Sequence, residues 1–230
     1  MKVILFGATG MVGQGVLREC LRDPEVEQVL AVGRSPVPQR HDRLRQLTAP
    51  DLFDLSALEG ELGGFDACFF CLGVSSAGLG EAAYRRLTHD LTLSVARVLA
   101  RIAPGMTFVY VSGQGTDARS RAMWARVKGE TENELLRLPL RAVMFRPGFI
   151  QPLDGIVSRT RLYRALYAVS SPAFPVLKAL FPGSVTTTRR VGRAMLAVAR
   201  DGSPRPVLET RDIDELGGGA GRASSSPRAR

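Results

Sequence analysis

Gly7-Ala-Thr-Gly10-Met-Val-Gly13 stands directly behind a short apolar run, Val3 to Phe6, and directly ahead of a helical pattern, Gly15-Val-Leu-Arg-Glu-Cys-Leu-Arg. A buried strand, a glycine turn and a helix start, in that order, form a cradle for the phosphates of a dinucleotide. The glycines let the backbone turn tightly and approach a pyrophosphate, and the helix start offers free N–H groups at the positive end of its dipole. Thr9 adds a hydroxyl donor. Two residues separate successive glycines where the commonest fingerprint begins with one, so the segment also reads as a tight connection without a ligand.

A second apolar run, Gln28-Val-Leu-Ala-Val-Gly33, ends in Arg34-Ser35. In a dinucleotide-binding fold this point meets the adenosine ribose, where a carboxylate would accept from both hydroxyls and repel a 2′-phosphate. No carboxylate follows until Asp42. Arg34, with Ser35 and Arg40, would instead pair with a 2′-phosphate through charge-assisted bonds. That favours NADP as cofactor, with NAD the alternative; a solvated loop arginine is the plain reading.

The elements that must hold these residues alternate along the chain. A first helix spans about Gly13–Arg22, and Arg43–Ala49 leads to a third strand. Leu55–Leu62 is helical, and Asp66–Leu72 is a fourth strand running into Gly73, where a glycine lets the backbone pass close to adenosine and pyrophosphate. Glu81–Arg101 is predicted as a long amphipathic helix with Tyr84, Leu87, Leu91, Val95 and Val98 on its apolar stripe. Met106–Val111 is a fifth strand, with Ser112 at its end. Arg121–Leu136 is helical, and Arg141–Gly148 is a sixth strand and turn. The Thr186–Thr188 triplet caps a last helix, Val191–Arg200, and Val207–Glu209 is a short final strand. Strands and helices alternating in this way predict an α/β fold, a doubly wound parallel sheet with helices on both faces. Ligands of such sheets bind beyond the carboxyl ends of the strands, where Gly7–Gly13, Arg34, Gly73 and Ser112 all fall.

Residues 1–216 suit one Rossmann-like domain, with a small substrate or lid region at about 150–190. From Gly217 the composition predicts a disordered tail to residue 230. The lid region is aromatic and basic, carrying Tyr163, Tyr167, Arg161 and Arg164, and would also suit a helix lying on a membrane surface. No apolar run reaches the roughly 18 residues that span a bilayer, and the N-terminal run is too short for a signal-peptide core; a cytoplasmic protein is expected. Cys68-Phe-Phe-Cys71 has redox-pair spacing, but in a strand positions three apart face opposite ways, so buried core thiols are expected and no metal site. Part of the net charge of +9 sits in the tail at Arg222, Arg228 and Arg230, and the rest is spread over arginine-rich helix faces without any nucleic-acid-binding pattern, so no nucleic-acid partner is expected.

Gly7–Gly13, Val111-Ser112-Gly113, Val127-Lys128-Gly129-Glu130-Thr-Glu132 and Arg146-Pro147-Gly148 together resemble the atypical short-chain dehydrogenase/reductases, NAD(P)-binding, epimerase/dehydratase-like proteins related to the Tat-interacting-protein oxidoreductases, over about residues 1–215. The resemblance implies a Rossmann fold and a cofactor-contacting set of Gly7, Thr9, Gly10, Met11, Val12, Gly13, Arg34, Ser35, Asp54, Leu72, Gly73, Lys128 and Pro147. Asp54 is the candidate for the adenine amino group and equally a helix N-cap. The resemblance also implies Ser112 and Lys128 as catalytic residues at the nicotinamide end. Members of the wider family use a Tyr-x-x-x-Lys pair on the helix after the fifth strand: lysine holds the nicotinamide ribose and lowers the tyrosine pKa, tyrosine exchanges a proton with the substrate, and serine orients the substrate oxygen. Here the tyrosine's register position holds Trp124, whose indole N–H donates but cannot be given up.

Three functions stay open. The first is a reductase or epimerase acting on an unknown small molecule, with Ser112, a water, Tyr163 or Tyr167 handling the proton. The second is an NADP(H)-binding regulator or scaffold without turnover. The third is a peripheral membrane or electron-transfer accessory using the basic lid region. A homodimer through Glu81–Arg101 and Arg121–Leu136 would match proteins of this family.

Overall fold

The apolar runs seen in the sequence pair into one sheet. In the computed structural model, which describes residues 1–156 and 183–219, strands β1 (Lys2–Phe6), β2 (Gln28–Gly33), β3 (Leu44–Thr48), β4 (Ala67–Phe70), β5 (Thr107–Val111), β6 (Arg141–Arg146) and β9 (Val207–Glu209) lie in the order β3-β2-β1-β4-β5-β6-β9. Every pairing is parallel. Parallel strands need crossovers, which here are α1 (Met11–Arg22), α2 (Glu59–Leu62), α3 (Glu81–Arg85) continuing through a π-turn (Arg86–Asp90) into α4 (Leu91–Ile102), α5 (Met123–Leu135) and α6 (Thr188–Asp201). Helix α7 (Thr210–Gly218) follows β9. A separate two-stranded parallel sheet joins β7 (Phe149–Gln151) to β8 (Val185–Thr187).

Both faces of the main sheet are covered, which is why its strands are apolar throughout rather than alternating. Val3, Leu5, Val29, Phe69, Val109 and Phe145 face α1 and α6. Ile4, Phe6, Leu30, Phe70, Phe108 and Tyr110 face α4 and α5. On that second face Phe70 lies 5.7 Å from Phe6 and 5.8 Å from Phe108 between ring centroids. Helices α1 and α6 approach closely at Gly15, where a Cβ would come within 2.6 Å of the Thr188 Cβ and 3.1 Å of its carbonyl oxygen. Thr187 caps α6, its hydroxyl accepting from the Arg190 N–H at 3.2 Å, so the threonine triplet does start that helix.

Four sequence expectations change. Helix α1 starts at Met11, not Gly13, and the fourth strand shrinks to Ala67–Phe70. The π-turn inserts an extra residue into the long helix and rotates its apolar stripe, so Leu87 is exposed and Thr88 and His89 turn inward. Gly217, expected in the tail, is buried in α7, because a Cβ there would meet the Arg190 carbonyl oxygen at 2.2 Å and only glycine lets α7 lie so close to α6. The cysteines behave as expected of diverging core thiols: Cys68 packs with the α4/α5 face and Cys71 against the α1/α6 face, and burial pushes both thiols up. Among the described residues no group of side chains is arranged to hold a metal ion and no helix is long and apolar enough to cross a membrane. Most of the lid region, with Tyr163 and Tyr167, and the tail beyond Gly219 lie outside the described residues.

Candidate active site at the carboxyl edge of the sheet

The order of the strands reverses between β1 and β4, and the first cluster of site residues sits at that switch point. Gly7 leaves β1 with φ +83°, the left-handed region that glycine takes without strain. Its backbone presses on the exit of β4: a Cβ would lie 2.7 Å from the Cys71 carbonyl carbon and 2.8 Å from the Leu72 nitrogen. The Gly10 N–H donates to the Gly7 carbonyl at 2.9 Å, closing the turn. Gly10 caps α1 with no side-chain hydrogen bond, and no acidic residue stands in the first turn. No carboxylate of its own first turn therefore offsets the positive end of the helix at Met11, Val12 and Gly13.

Next to this turn is a cavity of about 280 Å³ lined by Gly7–Thr9, Ala31–Val37, Gln46, Leu47, Leu52 and Leu72. That is near the lower end of the sizes of small-molecule pockets, about 300 Å³. Gly7, Thr9, Arg34, Ser35 and Leu72 thus line one cavity. Arg34 and Ser35 are exposed at the rim, and Arg34 has no hydrogen-bond or ion-pair partner among the described residues. Gly73 is exposed and does not line the cavity, and neither does Asp54. The Asp54 carboxylate instead accepts from the Ser56 hydroxyl and its N–H (2.9 Å to the nitrogen), bonds that hold it below the usual carboxylate range. It turns the chain into the short helix while Leu52, two residues earlier, faces the cavity.

The second cluster lies where β5 and β6 end. Ser112 is buried, and its N–H donates to the Phe145 carbonyl at 2.8 Å, which extends the β5–β6 pairing by one residue. Its hydroxyl lies 2.9 Å from the Thr116 hydroxyl, which donates to the Gly113 carbonyl at 2.7 Å. The Thr116 proton is thereby used, so Thr116 accepts from Ser112 and leaves the Ser112 lone pairs for a guest. Thr116 was not singled out in the sequence; the one signal was its place four residues beyond Ser112 in a glycine-rich loop. Lys128, half-buried on α5, donates from Nζ to the Ser112 carbonyl oxygen at 2.7 Å. Burial pushes its ammonium down to about 8, and the Glu132 carboxylate, one turn further on, works in the opposite direction.

Helix α5 can hold Lys128 there because Gly129 lets it meet the loop: a Cβ on Gly129 would be 2.2 Å from the Ala118 nitrogen. Trp124, one turn before Lys128, carries its ring to the same loop, with Cη2 3.7 Å from where a Gly115 Cβ would be. Pro147 is buried and its carbonyl accepts from the Gln114 N–H at 3.0 Å, pinning that loop to the exit of β6. Of the four tyrosines in the chain, Tyr84 and Tyr110 are each 1% exposed inside the core. Among the described residues no tyrosine hydroxyl reaches Ser112 and Lys128 from the solvent side.

No protein-family model matches the chain. Solved structures share its fold. The Bordetella bronchiseptica enzyme WbmF, in complex with NAD+, aligns with TM-score 0.65 at 18% identity over 93% of this chain and 76% of that one. A short-chain dehydrogenase/reductase from Saccharomyces cerevisiae aligns with TM-score 0.68 at 12% identity over 94% and 98%. The fold is that of the short-chain dehydrogenase/reductases. In sequence, the chain is 32% identical to protein fmp52, mitochondrial, of Emericella nidulans over 64% of its own length and 66% of that protein. It is 28% identical to protein FMP52, mitochondrial, of Coccidioides immitis over 93% and 95%, and 28% identical to protein HTATIP2 of Rattus norvegicus over 64% and 62%. The first and third matches span just under two thirds of those relatives. In sequence the chain resembles FMP52 and HTATIP2, and its fold is the one that short-chain dehydrogenase/reductases have.

These relatives overturn the expectation of a cytoplasmic protein, since the fungal ones are named mitochondrial. That expectation rested on apolar runs, which bear on secretion and membrane spanning; import into mitochondria uses amphipathic, arginine-rich segments instead.

Proposed function

We propose that the chain is an NADP(H)-binding oxidoreductase or epimerase of the atypical short-chain type, acting on a small molecule. The observation that carries this reading is one cavity bounded by the Gly7–Thr9 turn on one side and Arg34-Ser35 on the other, with no carboxylate on its lining. Gly7 and Gly13 pack the turn tightly against protein backbone, and no acidic residue stands in the first turn of α1 to compete with a pyrophosphate for its N–H groups. Gly7, Thr9, Gly10, Met11, Val12 and Gly13 would hold the diphosphate, Leu72 would border the adenosine, and Arg34 with Ser35 would hold a 2′-phosphate. The NAD+ bound to WbmF, a protein of the same fold, supports a nucleotide in this cleft.

When bound, the nucleotide supplies or accepts a hydride at its nicotinamide. The chain's own part is positioning and charge. With its ammonium at about 8, Lys128 is mostly cationic at neutral pH and would donate to the nicotinamide ribose, as it donates to the Ser112 carbonyl here. Ser112, its proton directed to Thr116, offers lone pairs to a substrate hydroxyl. Trp124 closes the cleft wall where a tyrosine would exchange a proton.

The second reading, an NADP(H) binder without turnover, is favoured by one observation: both described tyrosines are sealed in the core. Titration with NADPH and NADH, followed by quenching of the single tryptophan, Trp124, tests both readings. NADPH binding tighter than NADH supports the site, and failure to bind either nucleotide overturns it. Binding without oxidation of NADPH across a panel of aldehydes, ketones and quinones selects the second reading.

A further inference from the structure

Between β2 and β3 the chain runs Arg34-Ser-Pro36-Val37-Pro38-Gln39. Each proline fixes its own φ at about −65° and removes an N–H, and each keeps the residue before it extended. Ser35–Gln39 is thus a stiff strut, and Val37 is the one residue between its ends that can donate from the main chain. Val37 is 6% exposed and packs with the α1/α6 face of the sheet. Its N–H and carbonyl therefore need partners inside the protein.

Gln46 of β3 supplies them. Its Oε1 accepts from the Val37 N–H at 2.8 Å, and its Nε2 donates to the Val37 carbonyl at 3.3 Å and to the Gln39 carbonyl at 3.4 Å. One side chain thereby pairs with Val37 as a neighbouring strand would. Only the oxygen of the amide can receive an N–H, so the bond from Val37 also fixes which way the amide points. The residue opposite Gln46 on β2 is Ala31, whose small side chain leaves room on that face for the amide to reach the strut. Gln46, Pro36 and Val37 all border the cavity that Arg34 and Ser35 rim. Both N–H groups of the amide are taken by the strut, which leaves Arg34 and Ser35 as the donors at the rim.

We infer that Gln46 is a positioning residue for nucleotide selection: by clamping Val37 it holds Arg34 and Ser35 where they receive a 2′-phosphate. The inference rests on the reading of Arg34 and Ser35 as the 2′-phosphate site. Arg34 lies between two fixed points. Behind it Gly33 ends β2, paired with Thr48 and accepting from the Ala49 N–H at 3.0 Å. Ahead of it Val37 is held by Gln46. The main chain, pinned at those two points, sets the reach of the Arg34 guanidinium. Holding the loop before the nucleotide arrives spares the cost of ordering it on binding.

The test compares wild type with Gln46→Met, which keeps the length of the side chain and removes its amide. Hydrogen exchange of the Val37 N–H, measured by NMR on full-length protein without nucleotide, reads the clamp directly. Exchange there is expected to quicken about tenfold in the variant, with the amides of β1 and β4 unchanged. Calorimetric titration with NADPH and NADH reads the consequence. NADPH is expected to bind about two- to tenfold more weakly, the worth of one ordinary hydrogen bond, and NADH as it binds to wild type. Faster Val37 exchange with both nucleotides weakened equally would mean a packing role only and overturn the inference. So would unchanged exchange at Val37 in the folded variant. Should Gln46→Met fail to fold, Gln46→Thr decides by the same readings, since threonine suits an edge strand and is too short to reach Val37. Wild type that binds NADPH no better than NADH overturns the 2′-phosphate reading and this inference with it. A wild-type preference for NADPH that survives undiminished in the variant overturns the inference alone.

Discussion

Gly13 rests against the carbonyl of Gly7 so closely that a Cβ on Gly13 would sit 2.0 Å from the Gly7 oxygen. This contact locks the first turn of α1 onto the exit of β1, and with it the direction in which the helix N–H groups point. Gly13→Ala forces backbone apart from backbone, with no flexible side chain to yield. A loss of about 1–3 kcal/mol is expected, as for other overpacked interiors, together with loss of NADPH binding even in the fraction that folds. Urea denaturation read beside NADPH titration checks both. Normal affinity in a folded Gly13→Ala variant would place the phosphates elsewhere.

Arg34 stands exposed at the cavity rim without a partner among the described residues, so its removal should leave the fold untouched. A hydrogen bond between charged groups contributes about 1.5–3 kcal/mol, so Arg34→Ala is expected to weaken NADPH about 10- to 100-fold and NADH hardly at all. Arg34→Asp should invert the preference. Parallel titrations with the two nucleotides give the answer, and a uniform loss for both would return Arg34 to the role of a solvated loop arginine.

Lys128 makes a testable stability claim. Its ammonium is pushed from 10.5 to about 8 by burial. Between those values the unfolded chain binds more protons than the folded one, so this residue makes stability rise with pH across that window, and its cost is fully present below pH 8. The shift corresponds to at most about 3 kcal/mol, and water reaching the half-buried side chain reduces that to about 1–2 kcal/mol. Lys128→Met is expected to be more stable than wild type at pH 7 by about that amount, with the gap closing toward pH 10.5, and to bind NADPH poorly. Denaturant melts at pH 7, 9 and 10.5 test the sign directly.

The sheet was legible because strands buried on both faces must be apolar throughout, and Val3–Phe6, Val29–Val32 and Phe108–Val111 carry no competing pattern. The glycine cradle was legible because close backbone approach leaves a spacing in the sequence. Side-chain alliances leave none. The ion-paired Glu132 and Arg146 are 14 residues apart on a helix and a strand, and nothing in either segment announces the other. Thr116 acquires its role only when the loop folds back on Ser112. The exposure of Leu87 was hidden for a different reason: a fixed 3.6-residue period cannot foresee the π-turn at Arg86–Asp90. Asp54 was legible as a turn residue ahead of the short helix, since its carboxylate accepts from the Ser56 N–H, while the place of Leu52 on the cavity wall was not.

Trp124 offers the sharpest discrimination between turnover and silent binding. Its ring rests on the loop at Gly115, one turn before Lys128 on the same face of α5. A tyrosine ring is smaller and enters the same space without overpacking, so Trp124→Tyr should fold as well as wild type. The new hydroxyl would stand one helical turn from the half-buried Lys128 ammonium, whose charge lowers a phenol's pKa. General acid catalysis contributes about 100- to 10,000-fold. NADPH-dependent reduction of a generic carbonyl probe such as 9,10-phenanthrenequinone is therefore expected to rise at least tenfold in Trp124→Tyr, with NADPH affinity, read by energy transfer from the new tyrosine or by calorimetry, unchanged. A rise of that kind means the wild-type cleft is complete except for its proton donor, which favours a binder derived from a reductase. No rise, with wild type already turning over the probe, means that another group moves the proton. Tyr163→Phe and Tyr167→Phe would then separate the two remaining tyrosines from Ser112.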